Sequence, residues 1–363
     1  MTKRDYNVDL FRVIATLLVI ILHVLGQGGV NQNVPHGSAN YWVVTFLRVG
    51  SYCAVNCFGL ITGYIMVNKS IKLKNIIGLW FQVVFYSILI SALFFVFMPE
   101  TITIRNVVVS FLPVLGEQWW YISSYFALFF CIPILNAAAN YLPKITFQKV
   151  LLVIIVGICV FDCVFPTDAF KINGGYSPIW LMILYLVGAY IRKYDLKQKI
   201  TALKSLLLYF AAIILTIISK VVIHFATKAI LGQARFENHF ISYISITIVL
   251  SSVFLFLFCL NFKIGNILAK LITFFAPATL GVFLIHAHPH VYRYILKDAF
   301  VSFVKMPTML SFLSICGVTA VIFVICSLLD LLRIKIFKFV KIGKLSESIE
   351  GKITNIYSKI FKI

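Results

Sequence analysis

Charged side chains are scarce in this sequence, and acidic ones most of all. Only 12% of the 363 residues are charged, whereas 61% are hydrophobic. Soluble globular domains carry about 25% charged and about 45–50% apolar residues. So few charges cannot cover a water-exposed surface, which excludes a soluble enzyme, a disordered chain and a small disulfide-stapled secreted domain. The class that remains is an integral membrane protein.

The shortage of acidic residues leaves a formal net charge of +20, from 32 Lys and Arg against 12 Asp and Glu. In a soluble protein this excess would indicate nucleic-acid binding. Here the basic residues lie in short segments between apolar runs, as they do in the cytoplasmic loops of membrane proteins. We therefore expect membrane lipid as a partner and no nucleic acid.

The sequence also lacks the signals of processing, cross-linking and duplication. The first apolar run has no small-residue cleavage site, so we expect it to remain as a membrane span. No two of the eight cysteines lie in two outer segments, where a disulfide would form. No repeat of fixed period is visible, whereas transporters typically show repeated halves.

Ten apolar segments predict an all-α integral membrane protein with about ten transmembrane helices, since about 20 apolar residues span a bilayer. They are residues 8–27, 41–66, 75–98, 118–136, 147–165, 177–192, 205–224, 241–261, 271–289 and 309–332. With the N-terminus inside, most Lys and Arg fall on the inner side, so we predict that both termini are cytoplasmic. We divide the chain into a transmembrane domain at 1–332 and a basic amphipathic cytoplasmic tail at 333–363.

Polar residues within the first segment are candidate functional residues, because a charge at mid-bilayer costs roughly 2.5–3.5 kcal/mol. Arg12 and His23 are separated by about three helical turns, which places them on one face about 16.5 Å apart. Asp9 lies one turn before Arg12 and can pair with it. We predict His23, Arg12 and Asp9 as catalytic residues; a membrane-anchoring arginine and a hydrogen-bonded interfacial histidine are the structural alternatives.

Other polar residues reach the same outer depth as His23. These are Arg48, Glu117, Tyr121 and His286, with Trp119 and Trp120 beside Tyr121. An aromatic belt at the membrane interface is the alternative explanation for the Trp-Trp-Tyr run. His286, His288 and His290 surround Pro289, which breaks their register, and no carboxylate neighbours them. We therefore expect no metal site.

Five runs carry a family resemblance: RDYNVDLFRV (4–13), FGLITGY (58–64), WWYI (119–122), PILN (133–136) and FLIH (283–286). In these runs, and in the Arg12–His23 spacing, the chain resembles membrane-bound acyltransferase family 3. That family comprises ten-helix O-acyltransferases that modify cell-surface glycans. This chain departs from the family at Lys69, Lys72 and Lys74, where members often have arginines; lysine contacts a phosphate at one point only.

The resemblance implies an O-acetyltransferase of the cell membrane. It would move an acetyl group from cytoplasmic acetyl-CoA to a hydroxyl of an extracytoplasmic or lipid-linked polysaccharide. The resemblance implies Lys72, Lys74 and Arg12 as contacts of the CoA phosphates and His23 as general base. The acceptor would then be bound by Arg48, Glu117, Trp119, Trp120, Tyr121 and His286. Arg48 is alternatively the donor that stabilises the oxyanion, and Glu117 could alternatively orient His23.

Three alternatives stay open. Transfer can proceed by direct attack of the acceptor on the thioester or through an acyl-histidine intermediate. The chain can instead be a flippase or transporter of lipid-linked saccharides without acyl transfer. It can also be a non-catalytic membrane sensor or scaffold, which would tolerate the loss of His23.

Overall fold

The computed structural model describes residues 4–164, 168 and 170–361, and these residues form helices and loops without a β-strand. The helices are α1 (Tyr6–Leu25), α2 (Val30–Asn33), α3 (Ala39–Ser51), α4 (Ala54–Met66), α5 (Leu73–Phe97), α6 (Ile104–Phe111), α7 (Trp120–Tyr141), α8 (Lys144–Val164), α9 (Pro178–Lys193), α10 (Ala202–Leu231), α11 (Ile246–Asn261), α12 (Asn266–Phe275), α13 (Thr279–His286), α14 (Thr308–Phe339) and α15 (Ile342–Phe361). This architecture confirms the predicted all-α membrane class.

Each of the ten predicted segments contains a helix, but they differ in length. Among the described residues, eight helical stretches are long and apolar enough to cross a membrane. The other two predicted spans are α9 and α11, with 16 residues each. At 1.5 Å per residue such a helix covers about 24 Å, less than a hydrocarbon core of about 30 Å. The second predicted span is divided into α3 and α4, and the ninth into α12 and α13.

The helix ends that the charge pattern predicts as cytoplasmic meet at one end of the bundle. The Asn7 side chain in α1 donates hydrogen bonds to the carbonyls of Cys259 (2.7 Å) and Phe262 (2.8 Å), where α11 ends. Asn136 in α7 donates to the Met66 carbonyl at the end of α4 (3.0 Å). The start of α1 and the ends of α4, α7 and α11 therefore lie on one side, as the predicted alternation of helix directions requires. The assignment of this side to the cytoplasm remains a prediction.

Loops close the opposite end. Asn40 at the start of α3 donates to the carbonyls of Val304 (3.0 Å) and Met306 (2.9 Å), just before α14. The Phe300 backbone N–H donates to the Gly28 carbonyl after α1 (3.0 Å). These bonds hold the outer ends of α1, α3 and α14 together, beside the His23 end of the first helix.

Two glycines let α4 and α9 pack backbone to backbone. A Cβ added to Gly63 would lie 1.8 Å from the carbonyl oxygen of Tyr185. A Cβ added to Gly188 would lie 2.1 Å from the carbonyl oxygen of Leu60. Small residues at helix crossings permit this close approach in membranes. The contact brings the FGLITGY run of α4 against the short helix α9.

We expect Gly188→Ala to destabilise the protein, because the contacting atom is backbone and cannot turn aside. Overpacking typically costs about 1–3 kcal/mol and occasionally more. Gly157→Ala in α8 is the matched control, since its Cβ would meet no atom within 4 Å. Thermal unfolding in detergent, followed by size-exclusion chromatography, should show a lower midpoint for the Gly188 variant alone. Equal midpoints for both variants would contradict the proposed crossing.

The predicted boundary at residue 332 does not coincide with a helix end, because α14 continues to Phe339. The following helix α15 packs on α5, where Lys74 forms an ion pair with Glu347 (2.9 Å). A hydrogen bond from Lys74 lowers the pKa of the Glu347 carboxyl. The division into two domains remains a prediction, but at least part of the tail contacts the helical bundle.

Candidate active site

A cavity of about 1110 Å³ lies among the helices and reaches residues from both ends of the bundle. Arg12, Met66 and Asn75 line it toward the end that we predict to be cytoplasmic. Arg48 and Glu117 line it toward the opposite end. The wall between is mostly apolar and aromatic. A flexible molecule with a charged end could therefore lie along it.

The first helix supplies two polar residues to the cavity wall. Arg12 and His23 both line the cavity, as their shared helix face predicts. Asp9 is buried and accepts hydrogen bonds from Arg12 (2.9 Å) and Arg4 (2.6 Å). These contacts hold the carboxylate beside the Arg12 guanidinium and leave part of that guanidinium available to a ligand.

His23 lies against two other rings. The ring centroids of His286 and Tyr292 are each 5.0 Å from that of His23. The Nδ1 atom of His23 is buried and has no hydrogen-bond partner among the described residues. A buried nitrogen left unpaired costs about 1–3 kcal/mol. Because Nδ1 is buried, Nε2 is the ring nitrogen that a molecule in the cavity would meet.

The ring of His286 packs against the ring of His23. Its Nδ1 lies 2.6 Å from the Val282 carbonyl oxygen, so Nδ1 carries the hydrogen and Nε2 keeps its lone pair. The buried Nε2 atom has no partner in the part of the chain that the structure describes. His286 does not belong to the cavity lining. Its ring contacts His23 instead, and its acceptor-binding role remains a prediction.

The three aromatic residues at the start of α7 all line the cavity, in different surroundings. Trp119 is buried with its ring centroid 5.4 Å from that of His288. Trp120 lies 4.6 Å from the Tyr176 ring. Tyr121 packs between the rings of Phe58 and Phe283, at 5.9 and 6.1 Å. Their position on the wall adds a cavity contact to the role expected of an interface belt.

Five tyrosines on this wall were absent from the sequence prediction: Tyr52, Tyr125, Tyr176, Tyr243 and Tyr292. The rings of Tyr176 and Tyr243 are 4.9 Å apart, and Tyr243 is also 4.9 Å from Tyr52. Tyr176, Tyr243 and Tyr292 lie near the ends of different apolar segments, where a tyrosine alone indicates only a membrane interface, whereas Tyr52 and Tyr125 lie inside segments. Their grouping with Trp120 depends on helix packing.

Arg48, Glu117 and Arg293 bring charge to the outer part of the lining. The Arg48 guanidinium donates a long hydrogen bond of 3.4 Å to Asn238. Glu117 is exposed and has a positive φ of 49°, an uncommon conformation for a residue other than glycine. Among the described residues, no hydrogen bond or ion pair joins Glu117 to His23. Glu117 therefore does not orient His23 in this conformation.

Of the three predicted CoA contacts, only Arg12 belongs to the described lining of the main cavity. Lys74 instead lines a neighbouring cleft of about 410 Å³ with Arg333 and Lys338. Asn75 lines both spaces, so they adjoin. Lys72 precedes α5 and lines neither. The structure thus separates the predicted basic group into Arg12 within the cavity and Lys74 beside it.

An ion pair within α14 was also missed by the sequence prediction. Asp330 is fully buried, and both Nε (3.0 Å) and an Nη atom (2.8 Å) of Arg333 donate to its carboxylate. Tyr86 (2.8 Å) and Gln82 (3.3 Å) in α5 donate to the same carboxylate. The signal was present, since Asp330 is a charged residue inside an apolar run. This pair joins α14 to α5 beside the basic cleft.

The family comparison agrees with the extent of this bundle. A family model described as an acyltransferase domain matches residues 5–330. No curated protein and no solved structure gives a significant match. The matched range begins just before α1 and ends at Asp330, so it includes every residue of the main cavity wall.

Proposed function

Since the chain belongs to the membrane acyltransferase family 3, we propose that it is an O-acetyltransferase acting across the cell membrane. Acetyl-CoA is the proposed donor, and a hydroxyl of an extracytoplasmic or lipid-linked polysaccharide is the proposed acceptor. One observation carries the proposal: Arg12 and His23 line the same cavity, which reaches residues from both ends of the bundle.

The donor would enter at the end that carries Arg12. The diphosphate and 3′-phosphate of CoA need cations, and Arg12 in the cavity together with Lys338 in the adjoining cleft can supply them, since Lys74 and Arg333 are already paired with carboxylates. The pantetheine arm would extend along α1 from Arg12 toward His23, and these two residues are about 16.5 Å apart along a helix. The apolar wall suits this arm and excludes water from the thioester.

His23 is the proposed general base. Its imidazole takes the proton of the acceptor hydroxyl while the oxygen attacks the thioester carbonyl carbon. The tetrahedral oxyanion then collapses, the C–S bond breaks and the CoA thiolate leaves. The imidazolium of His23 returns the proton to that thiolate, so the base is regenerated. His286 and Tyr292 position the ring of His23 from two sides.

The acceptor would bind in the outer half of the cavity. Trp120 and the tyrosines around it offer faces on which a sugar ring can stack, and Glu117 offers a hydrogen-bond acceptor for hydroxyl groups. Arg48 and Arg293 outnumber Glu117 at this end, which favours an acceptor that carries negative charge. These assignments explain why polar residues concentrate at the outer part of the wall.

The proposed function is tested with the purified chain in proteoliposomes. Radiolabelled acetyl-CoA is supplied with the cell-surface glycan of the source organism, and both free CoA and hydroxylamine-labile label on the glycan are measured. We expect one molecule of free CoA for each O-acetyl ester formed on the glycan. Succinyl-CoA in parallel identifies the acyl group. Movement of lipid-linked saccharide without ester formation would instead support a flippase.

Arg48→Gln is expected to weaken acceptor binding, because a charge-assisted hydrogen bond is worth about 1.5–3 kcal/mol. We expect the acceptor KM to rise about tenfold or more, with the KM for acetyl-CoA unchanged. Arg105→Gln is the matched control, an exposed arginine in α6 away from the described cavity lining. Steady-state kinetics with the donor saturated measure both constants. A fall in kcat with unchanged acceptor KM would instead indicate that Arg48 stabilises the oxyanion.

A further inference from the structure

Three potential metal ligands meet on the outer side of the bundle, away from the main cavity lining. His36 precedes α3, His224 lies in the outer part of α10, and Glu237 lies in the loop after α10. One ligand atom from each residue falls within 4.8 Å of the other two. The expectation of no metal site was drawn from spacing along the chain, which cannot reveal a group assembled from separate segments.

The distances suit a small tetrahedral ion. Zinc binds nitrogen and carboxylate oxygen at about 2.0–2.2 Å, so its ligand atoms lie about 3.3 Å apart. Here Glu237 Oε2 is 2.8 Å from His224 Nδ1 and 3.8 Å from His36 Nε2. The two separations lie on either side of the tetrahedral value. Shifts of about half an ångström would bring both separations to the tetrahedral value, and the His36 ring would turn out of its stack on His224 to share the ion.

The other carboxylate oxygen is already held in place. Lys220 is buried and donates to Glu237 Oε1 (2.8 Å) and to the Asn238 side chain (2.9 Å). Hydrogen bonds to the second oxygen commonly orient a metal-binding carboxylate. This arrangement leaves Oε2 directed toward the two histidines. The single carboxylate also disfavours a hard cation such as Ca²⁺, which prefers several carboxylates.

A hydrogen bond alone explains only part of the group. His224 is within hydrogen-bonding distance of Glu237, but His36 at 3.8 Å is not. The His36 ring instead stacks on the His224 ring, with centroids 5.0 Å apart and planes 18° apart. The His36 side chain is 56% exposed, so a shared ion would be reachable from water. A shared ion accounts for all three side chains.

We propose that His36, His224 and Glu237 bind a divalent transition-metal ion of the zinc type, with water in the fourth position. The ion would join the loop before α3 to the loop after α10. Asn238 follows Glu237 directly and contacts Arg48, so the site also steadies the outer part of the cavity. The proposal does not depend on the reaction that the cavity performs.

The test uses the full-length chain in detergent, without a histidine tag and freed of metal by chelation. Co²⁺ is titrated first, because four-coordinate cobalt has strong visible absorption, and Zn²⁺ is then added in competition. We expect one ion per chain, absorption typical of four-coordination, and a rise of several degrees in the thermal midpoint with Zn²⁺. His36→Ala and His224→Ala should each weaken binding at least tenfold.

His239→Ala is the matched control, because His239 lies in the same loop as Glu237 and outside the three-residue group. It should bind cobalt like the native chain. The metal-free variants must keep the native elution profile, which separates lost binding from lost folding. Unchanged binding in His36→Ala, or binding lost in the His239 variant, would overturn the proposal. Absence of cobalt absorption in the native chain would overturn it as well.

Discussion

His23→Ala should lower acetyl transfer by about 100- to 10,000-fold, the usual contribution of a positioned general base. The hydroxyl of a sugar is a poor nucleophile until its proton is taken. His23 lines the cavity, and its buried Nδ1 has no partner among the described residues. The rings of His286 and Tyr292 pack against the imidazole, and neither is a carboxylate that would pair with it. Removing the imidazole therefore removes the proposed acceptor of the proton.

The measurement is the rate of O-acetyl ester formation in proteoliposomes that contain equal amounts of correctly folded protein. His239→Ala serves as control, since it removes an outer histidine outside the described cavity lining. Turnover should fall with little change in the KM for acetyl-CoA. Native turnover in the His23 variant would contradict the catalytic assignment and restore the interpretation of a structural histidine.

The same comparison separates direct transfer from an acyl-histidine intermediate. Incubation of native protein with acetyl-CoA alone should give no stoichiometric release of CoA if the acceptor attacks directly. A burst of one CoA per chain, together with a gain of one acetyl group at His23 by mass spectrometry, would establish the intermediate. His286→Gln adds a further test of positioning. It should lower kcat less than His23→Ala and alter the pH profile of the rate.

Asp330→Leu should cost about 3–5 kcal/mol of stability, because it leaves a buried guanidinium without its carboxylate. Asp330 is 0% exposed and Arg333 is 9% exposed, so neither charge can turn to water. Tyr86 and Gln82 would lose their shared acceptor at the same time. This is the largest stability effect that we expect of a single polar substitution in the described bundle.

The double variant Asp330→Leu/Arg333→Met should recover most of that loss. Replacing both members of a buried ion pair with apolar residues is often neutral or stabilising. Lys335→Met is the control, an exposed basic residue on the same helix. Unfolding in mixed micelles by increasing detergent fraction measures the free energies. A double variant as unstable as Asp330→Leu would show that Asp330 acts through α5 rather than through Arg333.

The sequence predicted correctly those features that depend on residues within a single helix. A helix has one repeat angle, so the spacing of Arg12 and His23 placed both on one face without further information. Asp9 reached Arg12 for the same reason. The scarcity of charge predicted the membrane class, because the cost of burying charge in lipid acts on composition directly. The ten apolar segments followed from that same cost.

The helical repeat and the composition do not indicate which side chains of different helices contact each other. Lys74 was expected at the CoA phosphates, but α15 folds back so that Glu347 reaches it. Asp330 was counted as part of an apolar span, and its partners lie on α5 as well as on α14. The short helices α9 and α11 differ from the length expected of a span because neighbouring helices, rather than lipid, bury much of their surface.

By itself, then, the sequence determined the all-α membrane class, the approximate helix positions and the polar face of α1. Each depends on local composition or on the helical repeat. Only the tertiary structure decided which aromatic residues line the cavity, which ring contacts His23, and that His36, His224 and Glu237 meet. These depend on contacts between residues far apart in the chain. Such contacts are set by the packing of several helices at once, for which no single segment carries a signal.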